Sequence, residues 1–333
     1  MCGLMARDTT PMVSTTALEK LTRLVHGSRR ILLVSHQNCG DATGAVAACL
    51  IVLERLGKVV TPYLPAPVPK SFCFLPRTEE IRTDLTTVRL EDYDLLLCVD
   101  AAEPSMTGLG DRFAERPTTL TTVNFDHHLT NPEYGDFNVV DRSAAATCAM
   151  LYEWFQFAGF NVDYAVATCL LTGILTDTGS FSNPATNDAA LATASHLLLK
   201  GASVTQVLER VVRNKTIPEL KLWGRALERL RVDQELGLVT TVVTQADVEE
   251  LGGSPEALEG IANFLNELEG FRAVMVLKEQ PDGSVKGSLR TTRDDVDVAA
   301  MAKLFGGGGH KKAAGFTVPG RLIETERGWE LVR

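Results

Sequence analysis

The sequence predicts an α/β chain of two domains, a mainly parallel-sheet domain followed by a smaller α+β domain, and three observations carry that expectation. At 333 residues the chain is too long for one average domain and long enough for two that each bury a core. From residue 30 to about 190, apolar β-type runs alternate with stretches of helical periodicity, the pattern of strands joined by crossover helices. Beyond about 235 the texture changes to short alternating strands around the turn Gln280-Pro281-Asp282-Gly283, as in a hairpin-built domain. The expected boundaries are 1–215 for the first domain, 216–235 for a helical linker and 236–333 for the second domain.

Strands are expected at 30–35 (RILLVS), 58–63 (KVVTPY), 94–99 (DLLLCV) and 120–125 (LTTVNF), continuous apolar runs of buried-strand length. Helices fit 41–57, 144–158, 163–175 and 187–200, the last stopped by Gly201. A further helix at 217–232 has Pro218 at its start and Leu220, Trp223, Leu227 and Leu230 on one face, and is read as the bridge between domains. The second domain then reads as a strand at 237–243, a helix at 256–268, a hairpin of 272–278 with 284–291, and a helix at 297–305. No internal repeat or low-complexity tract interrupts this order.

Composition narrows the function classes. With 45% hydrophobic and 23% charged residues, the chain has the profile of a soluble globular protein. No apolar run reaches the roughly 18 residues of a membrane span. The N-terminus carries no apolar signal-peptide core, so a cytoplasmic location and no membrane partner are expected. Seven cysteines form no CxxC pair and read as reduced, mostly buried thiols. A net charge of −9 argues against a long basic groove for duplex nucleic acid. A small anionic substrate stays compatible with that charge, because bound divalent cations reverse the local field.

In open parallel sheets, ligands collect at the carboxyl ends of the strands. The first expected strand runs into His36 and Asp41, the third ends at Asp100, and the fourth ends at Asp126, His127 and His128. Asp177 lies in the segment GILTDTGSF. Taken singly, an aspartate after a strand is more often a helix cap or turn residue, and a His pair is more often surface or core. Together, three of the six histidines and the aspartates Asp41, Asp100 and Asp177 fall on segments expected to meet at one sheet edge. Carboxylates and imidazoles suit hard divalent ions such as Mn²⁺ and Mg²⁺, and two such ions can clamp a phosphate and activate water. Asp100, central in the sheet, is the candidate for a carboxylate shared between them.

The runs DHHLTNPEYGDFN (from Asp126), GILTDTGSF and SLRTTRDDVDVAAMAKLFGGGGH, the last ending at His310, give the chain a resemblance to the DHH phosphoesterases of the DHHA1 subclass over about residues 30–320. It looks most similar to the subgroup of oligoribonucleases (nanoRNases) and pAp phosphatases. The resemblance implies hydrolysis of oligoribonucleotides a few residues long, of 3′-phosphoadenosine 5′-phosphate (pAp), or of both. It implies two Mn²⁺ ions, with Mg²⁺ or another divalent ion as substitutes, and a homodimer. Carried over by residue, His36 and Asp100 would bind the first ion, and Asp41, Asp100, His127 and Asp177 the second. Asp126 would support a neighbouring ligand by a hydrogen bond. His128 would stabilise the phosphate or protonate the leaving oxygen. Ser288, Arg290, the glycines Gly307, Gly308 and Gly309, and His310 would hold the far phosphate or terminal nucleotide, in a stretch that is basic inside an acidic chain.

One departure matters. The family's first motif usually reads His-x-Asn-Pro-Asp-Gly-Asp, whereas this chain reads His36-Gln37-Asn38-Cys39-Gly40-Asp41, one residue shorter and without the first aspartate. The first ion is thereby left a carboxylate short, and its site is expected to be weakened. Cys39 could supply a thiolate, but soft sulfur is a poor match for Mn²⁺ and would favour Zn²⁺ or Fe²⁺, so it reads first as a structural substitution. Two alternatives follow: a phosphodiesterase of cyclic or linear dinucleotides (cyclic di-AMP or pApA), and a nucleotide-binding protein with weakened catalysis. Inorganic pyrophosphate ranks below nucleotides, because the pyrophosphatases of the wider family carry a different C-terminal domain.

Overall fold

The computed structural model describes residues 13–211, 216–253, 258, 260–266, 268–325 and 328–332. The chain divides into two units, Met1–Asn214 and Lys215–Arg333. In the first, the order is α1 (Thr15–Gly27), β1 (Arg30–Val34), α2 (Gly40–Arg55), β2 (Val59–Tyr63), β3 (Leu95–Val99), α3 (Asp111–Ala114), β4 (Thr121–Asp126), β5 (Phe137–Val140), α4 (Thr147–Phe157), α5 (Tyr164–Asp177), α6 (Asp188–Leu199) and α7 (Val204–Val211). The five strands form one wholly parallel sheet in the order β2-β1-β3-β4-β5. From β1 the chain steps outward to β2 and then returns to the other side of β1 as β3. The gap between the carboxyl ends of β1 and β3 is therefore a topological switch point, where such sheets receive ligands.

All five residues of β3 are buried, as a strand covered on both faces must be. Helix α2 is buried from Gly40 to Leu53 and packs against α5. Gly44 makes that close approach feasible, because a Cβ there would stand 2.5 Å from the carbonyl oxygen of Cys169. The four expected strands and the helices at 41–57, 144–158, 163–175 and 187–200 are all present, with ends shifted by up to three residues. The unit also contains α1, the edge strand β5 and α7, which are not among the expected elements. Strand β5 is four residues with only Val139 buried, too little apolar pattern to register.

The second unit runs α8 (Ile217–Glu228), β6 (Arg231–Asp233), β7 (Leu238–Val243), α9 (Gln245–Leu251), α10 (Ile261–Leu265), β8 (Ala273–Glu279), β9 (Ser284–Arg290), α11 (Val298–Lys303), β10 (Gly308–His310), β11 (Ala313–Pro319), β12 (Arg321–Thr325) and β13 (Gly328–Val332). Six strands make a mixed sheet, β10-β11-β9-β8-β7-β6, in which only β7 and β8 run parallel. Alternation along β7 sends Val239 and Val243 to a core with Leu222, Ala226 and Ile261. Leu238 and Val242 face the other core, with Val298 and Ala302. Helices thus cover both faces. The helix expected at 217–232 starts with a capping box, Thr216 with Glu219, and buries Leu222 and Ala226 in the second unit's own core.

The hairpin pairs Val274 with Arg290 and Leu277 with Gly287. The glycine run is partly an edge strand. Gly308 to His310 pair antiparallel with β11, and Cβ atoms at Gly307 and Gly309 would stand 2.2 and 2.6 Å from carbonyl oxygens of that strand. Gly307 and Gly309 let the two backbones lie closer than side chains would permit.

Candidate metal centre

The carboxyl ends of β1, β3 and β4 and the facing ends of α2 and α5 bring seven polar side chains together. Strand β1 delivers His36, whose Nε2 stands 3.2 Å from Asp100 Oδ2. Asp100 follows β3 with a backbone φ of 53°, in the left-handed region that aspartate tolerates better than most residues. Its N–H is held by the Phe125 carbonyl at 3.0 Å, and Thr147 Oγ1 donates to its Oδ1 at 2.9 Å. Asp100 is fully buried. A strained, buried carboxylate at a switch point marks a built site rather than a turn.

Asp41 sits in the first turn of α2, and both its oxygens accept backbone amides of α4, Thr147 N–H at 2.6 Å and Cys148 N–H at 3.0 Å. Helix α4 has no capping side chain of its own at Ala146, so Asp41 caps it from 106 residues away. The cap and the cluster use the same carboxylate, since Asp41 Oδ2 also lies 3.9 Å from His127 Nε2. Gly173 on α5 leaves the room, as a Cβ there would meet Asp41 Oδ1 at 2.3 Å.

His127 carries the sharpest signal. Its Nδ1 lies 3.1 Å from the Ala144 carbonyl, which only accepts, so Nδ1 carries the proton. Its Nε2 is buried without a hydrogen bond of acceptable geometry, yet faces Asp177 Oδ2 at 3.2 Å, Asp100 Oδ1 at 3.5 Å and Asp41 Oδ2 at 3.9 Å. A buried ring nitrogen faced by three carboxylates, with its other nitrogen pinned to a carbonyl, is the arrangement of a metal-ligating histidine. Beside it, His128 Nδ1 pairs with Asp126 Oδ1 at 2.8 Å, and Asn131 donates to the other oxygen of Asp126.

Ligand atoms fall into overlapping groups within 4.8 Å of one another: His36, Cys39 and Asp100; Asp41, His127 and Asp177; Asp100, His127 and His128. Asp100 belongs to two of them, one oxygen toward His36 and the other toward His127. The residues present thus fit divalent cations. Electrostatics agree. Burial alone would lower the pKa of His127, but Asp177, Asp100 and Asp41 hold it well above the usual imidazole value. His36 is likewise raised against burial by Asp100 and Asp177, and His128 by Asp126 and Asp100. The Asp41 carboxyl is pushed well up by burial and by the neighbouring Asp100 and Asp177. Negative charge crowds here beyond what the side chains neutralise.

Two contributors, Thr147 and the Ala144 carbonyl, have no signal in the sequence, and a third, the Cys39 thiol, reads there as structural, although its Sγ is 3.7 Å from Asp100 Oδ2 and 4.0 Å from Asp177 Oδ1. The expected nucleotide-binding residues lie in the second unit. Ser288 and Arg290 are two residues apart on β9, on one face of the strand, and Arg290 Nε donates to Asn263 Oδ1 at 2.7 Å. Burial lowers the pKa of Arg290. Gly308 and Gly309 continue into β10, while the side chain of His310 lies outside the described residues.

Among the described residues, no helix is long and apolar enough to cross a membrane. Residues 30–174 match the model of the DHH family, N-terminal domain, and residues 237–328 that of the DHHA1 domain. The bifunctional oligoribonuclease and PAP phosphatase NrnA of Thermus thermophilus is 33% identical to this chain over 88% of it and 86% of that protein. The protein of the same name from Bacillus subtilis is 24% identical over 61% of this chain, which spans 64% of that protein. Among solved structures, an exopolyphosphatase-related protein of Bacteroides fragilis superposes with a TM-score of 0.86 at 21% identity over 92% of each chain, a likeness of fold. With both units matched and the ligand cluster assembled at the switch point, the chain belongs to the DHH family with a DHHA1 domain, and is a phosphoric ester hydrolase of that metal-dependent family.

Proposed function

We propose that this chain hydrolyses phosphate esters in oligoribonucleotides a few residues long and in small nucleotides such as pAp, with two divalent cations, Mn²⁺ foremost, held by His36, Asp41, Asp100, His127 and Asp177. The observation that carries this reading is the buried Nε2 of His127 within 4 Å of three carboxylates, in a chain 33% identical to an oligoribonuclease and PAP phosphatase. When bound, such a cation pair supplies Lewis acidity to phosphoryl oxygens and lowers the pKa of water. Asp100 offers one oxygen to each side of the cluster and so fixes the spacing of the two positions. Asp41 and His127 keep their ligand atoms oriented, because α4 amides and the Ala144 carbonyl hold them. His128, oriented by Asp126, is the residue we assign to protonating the leaving oxygen. Ser288, Arg290, Gly307, Gly308, Gly309 and His310 are assigned to the nucleotide portion away from the reacting phosphate.

Turnover of pAp, linear pApA, cyclic di-AMP and di- to tetraribonucleotides, each with Mn²⁺ and with chelator, tests the proposal. Cation-dependent product from pAp or the short RNAs is expected. Asp100→Asn should lower kcat by more than about 100-fold, since partners outside the ligand set already cost 10–100-fold. An Asp100→Asn enzyme as active as the parent overturns the reading. Nucleotide binding without product under every cation would leave a binding protein instead.

A further inference from the structure

The first motif of this chain lacks a carboxylate, yet the space beside His36 and Asp100 is filled by a ligating atom. We infer that Cys39 is a cation ligand, and that His36, Cys39 and Asp100 form a thiophilic position taking Zn²⁺, Fe²⁺ or Co²⁺ ahead of Mn²⁺, next to the nitrogen-and-oxygen group of Asp41, His127 and Asp177. This deepens the proposed function and rests on its premise that the cluster holds cations.

Geometry is the first support. Bonds of about 2.0–2.3 Å at tetrahedral angles put ligand atoms roughly 3.3–3.8 Å apart. Cys39 Sγ is 3.7 Å from Asp100 Oδ2, and His36 Nε2 is 3.2 Å from that same oxygen. All three ligand atoms lie within 4.8 Å of one another. Three protein ligands and one open position are the layout of catalytic rather than structural zinc.

The backbone is the second support, because it sets where the thiol can go. Cys39 is the N-cap residue of α2, extended at φ −127° and ψ 140°, and its carbonyl accepts Thr43 N–H at 3.1 Å and Thr43 Oγ1 at 2.7 Å. The next residue, Gly40, has no room for a Cβ, since Thr176 would lie 2.5 Å away. The turn is thereby pressed against the end of α5 that bears Asp177. The buried thiols are placed differently: Cys49, Cys98 and Cys169 lie in apolar cores, and Cys148 packs on the Asp41 carbonyl at 3.6 Å. Among the described residues, Cys39 is the one cysteine in a ligand group.

The chemistry follows from the softer donor. On binding, the thiol releases its proton to solvent and a sulfur–metal bond forms, with no electron transfer. Thiolate sulfur selects Zn²⁺, Fe²⁺ and Co²⁺, while carboxylate and imidazole alone suit Mn²⁺. The two positions would then differ in cation preference.

Metal-free protein is titrated with Co²⁺ and followed by near-ultraviolet and visible absorption, with far-ultraviolet circular dichroism as a check on folding. The parent should develop a thiolate-to-cobalt charge-transfer band that Cys39→Ser loses while still binding Co²⁺ at the other position. In Cys39→Asp, which returns a carboxylate to the turn, the ratio of Zn²⁺ to Mn²⁺ affinity should fall by at least about tenfold, the lower end of what ligand-shell changes produce. Co²⁺ bound by the parent with no such band, or with a band that Cys39→Ser retains, overturns the role of Cys39 and leaves the phosphoesterase reading intact. No Co²⁺ bound by parent or variants overturns both. Should Cys39→Ser prove unfolded, an unchanged affinity ratio in Cys39→Asp overturns the inference by itself.

Discussion

Three ligands of the cluster are each oriented by a partner that leaves another atom or lone pair for a cation: His127 by the Ala144 carbonyl, Asp41 by two α4 amides, Asp100 by Thr147. Asp41→Asn separates capping from ligation. The amide oxygen still accepts one α4 N–H, so the metal-free protein should lose no more than about 1 kcal/mol. Stabilisation of the variant by added Mn²⁺ should fall, leaving only what the position at His36 and Asp100 supplies, as thermal melts with and without the ion would reveal. The pH dependence has a definite sign. The raised pKa values of His36, His127 and His128 mean that the folded metal-free protein binds protons more tightly than the unfolded chain. That stabilisation is complete below the unfolded imidazole value of about 6.5 and fades as pH rises through the raised folded values. Metal-free protein should therefore lose stability upward from about pH 6.5. Cation affinity should rise over the same range because binding expels those protons, which calorimetry in two buffers of different ionisation enthalpy would count. The imidazoles and carboxylates were legible in the sequence because their chemistry is in their names. The Ala144 carbonyl was not, since a backbone acceptor has no sequence signature, and Cys39 was read as structural because spacing alone could not show where its sulfur points.

Contacts between helices set the site's dimensions. Gly173 faces Asp41 Oδ1 and Cys148 Sγ, with Cβ distances of 2.3 and 2.4 Å. Gly173→Ala should cost about 1–3 kcal/mol by overpacking and weaken cation binding by displacing Asp41, read in one melt series with and without Mn²⁺. Stability unchanged in that variant would contradict the α2–α5 packing described. In the second unit, buried Asp247 closes the α9 capping box with Thr244 and accepts from Arg225 and Arg229. Burial would raise its pKa, but the Arg229 and Thr244 bonds outweigh that and hold it low. Its contribution is therefore present above about pH 3.9 and lost as pH falls through the lower folded value. Asp247→Asn should cost about 2 kcal/mol near neutral pH, below the ~3–5 of a fully buried pair because both arginines keep some exposure. The long apolar strands and helices were legible from periodicity. Short edge elements such as β5, β10 and β6 were not, because hydrogen bonding to a neighbour rather than apolar pattern defines them.

At the scale of the whole molecule, the sequence's change of texture near residue 235 reflects two units with separate cores, and α8 packs Leu222 and Ala226 into the second. A chain of net charge −9 that acts on phosphate esters needs local positive charge, and the cluster has the ligands to gather it from solution. Short nucleotides should accordingly compete with one another for turnover, whereas long duplex RNA should neither bind at physiological salt nor inhibit. The most direct measurement is anomalous diffraction from crystals grown metal-free and soaked in Mn²⁺. The account predicts manganese peaks within bonding distance of Asp100, one shared with His36 and one with Asp41, His127 and Asp177. Full occupancy elsewhere with no peak at Asp100 would contradict it.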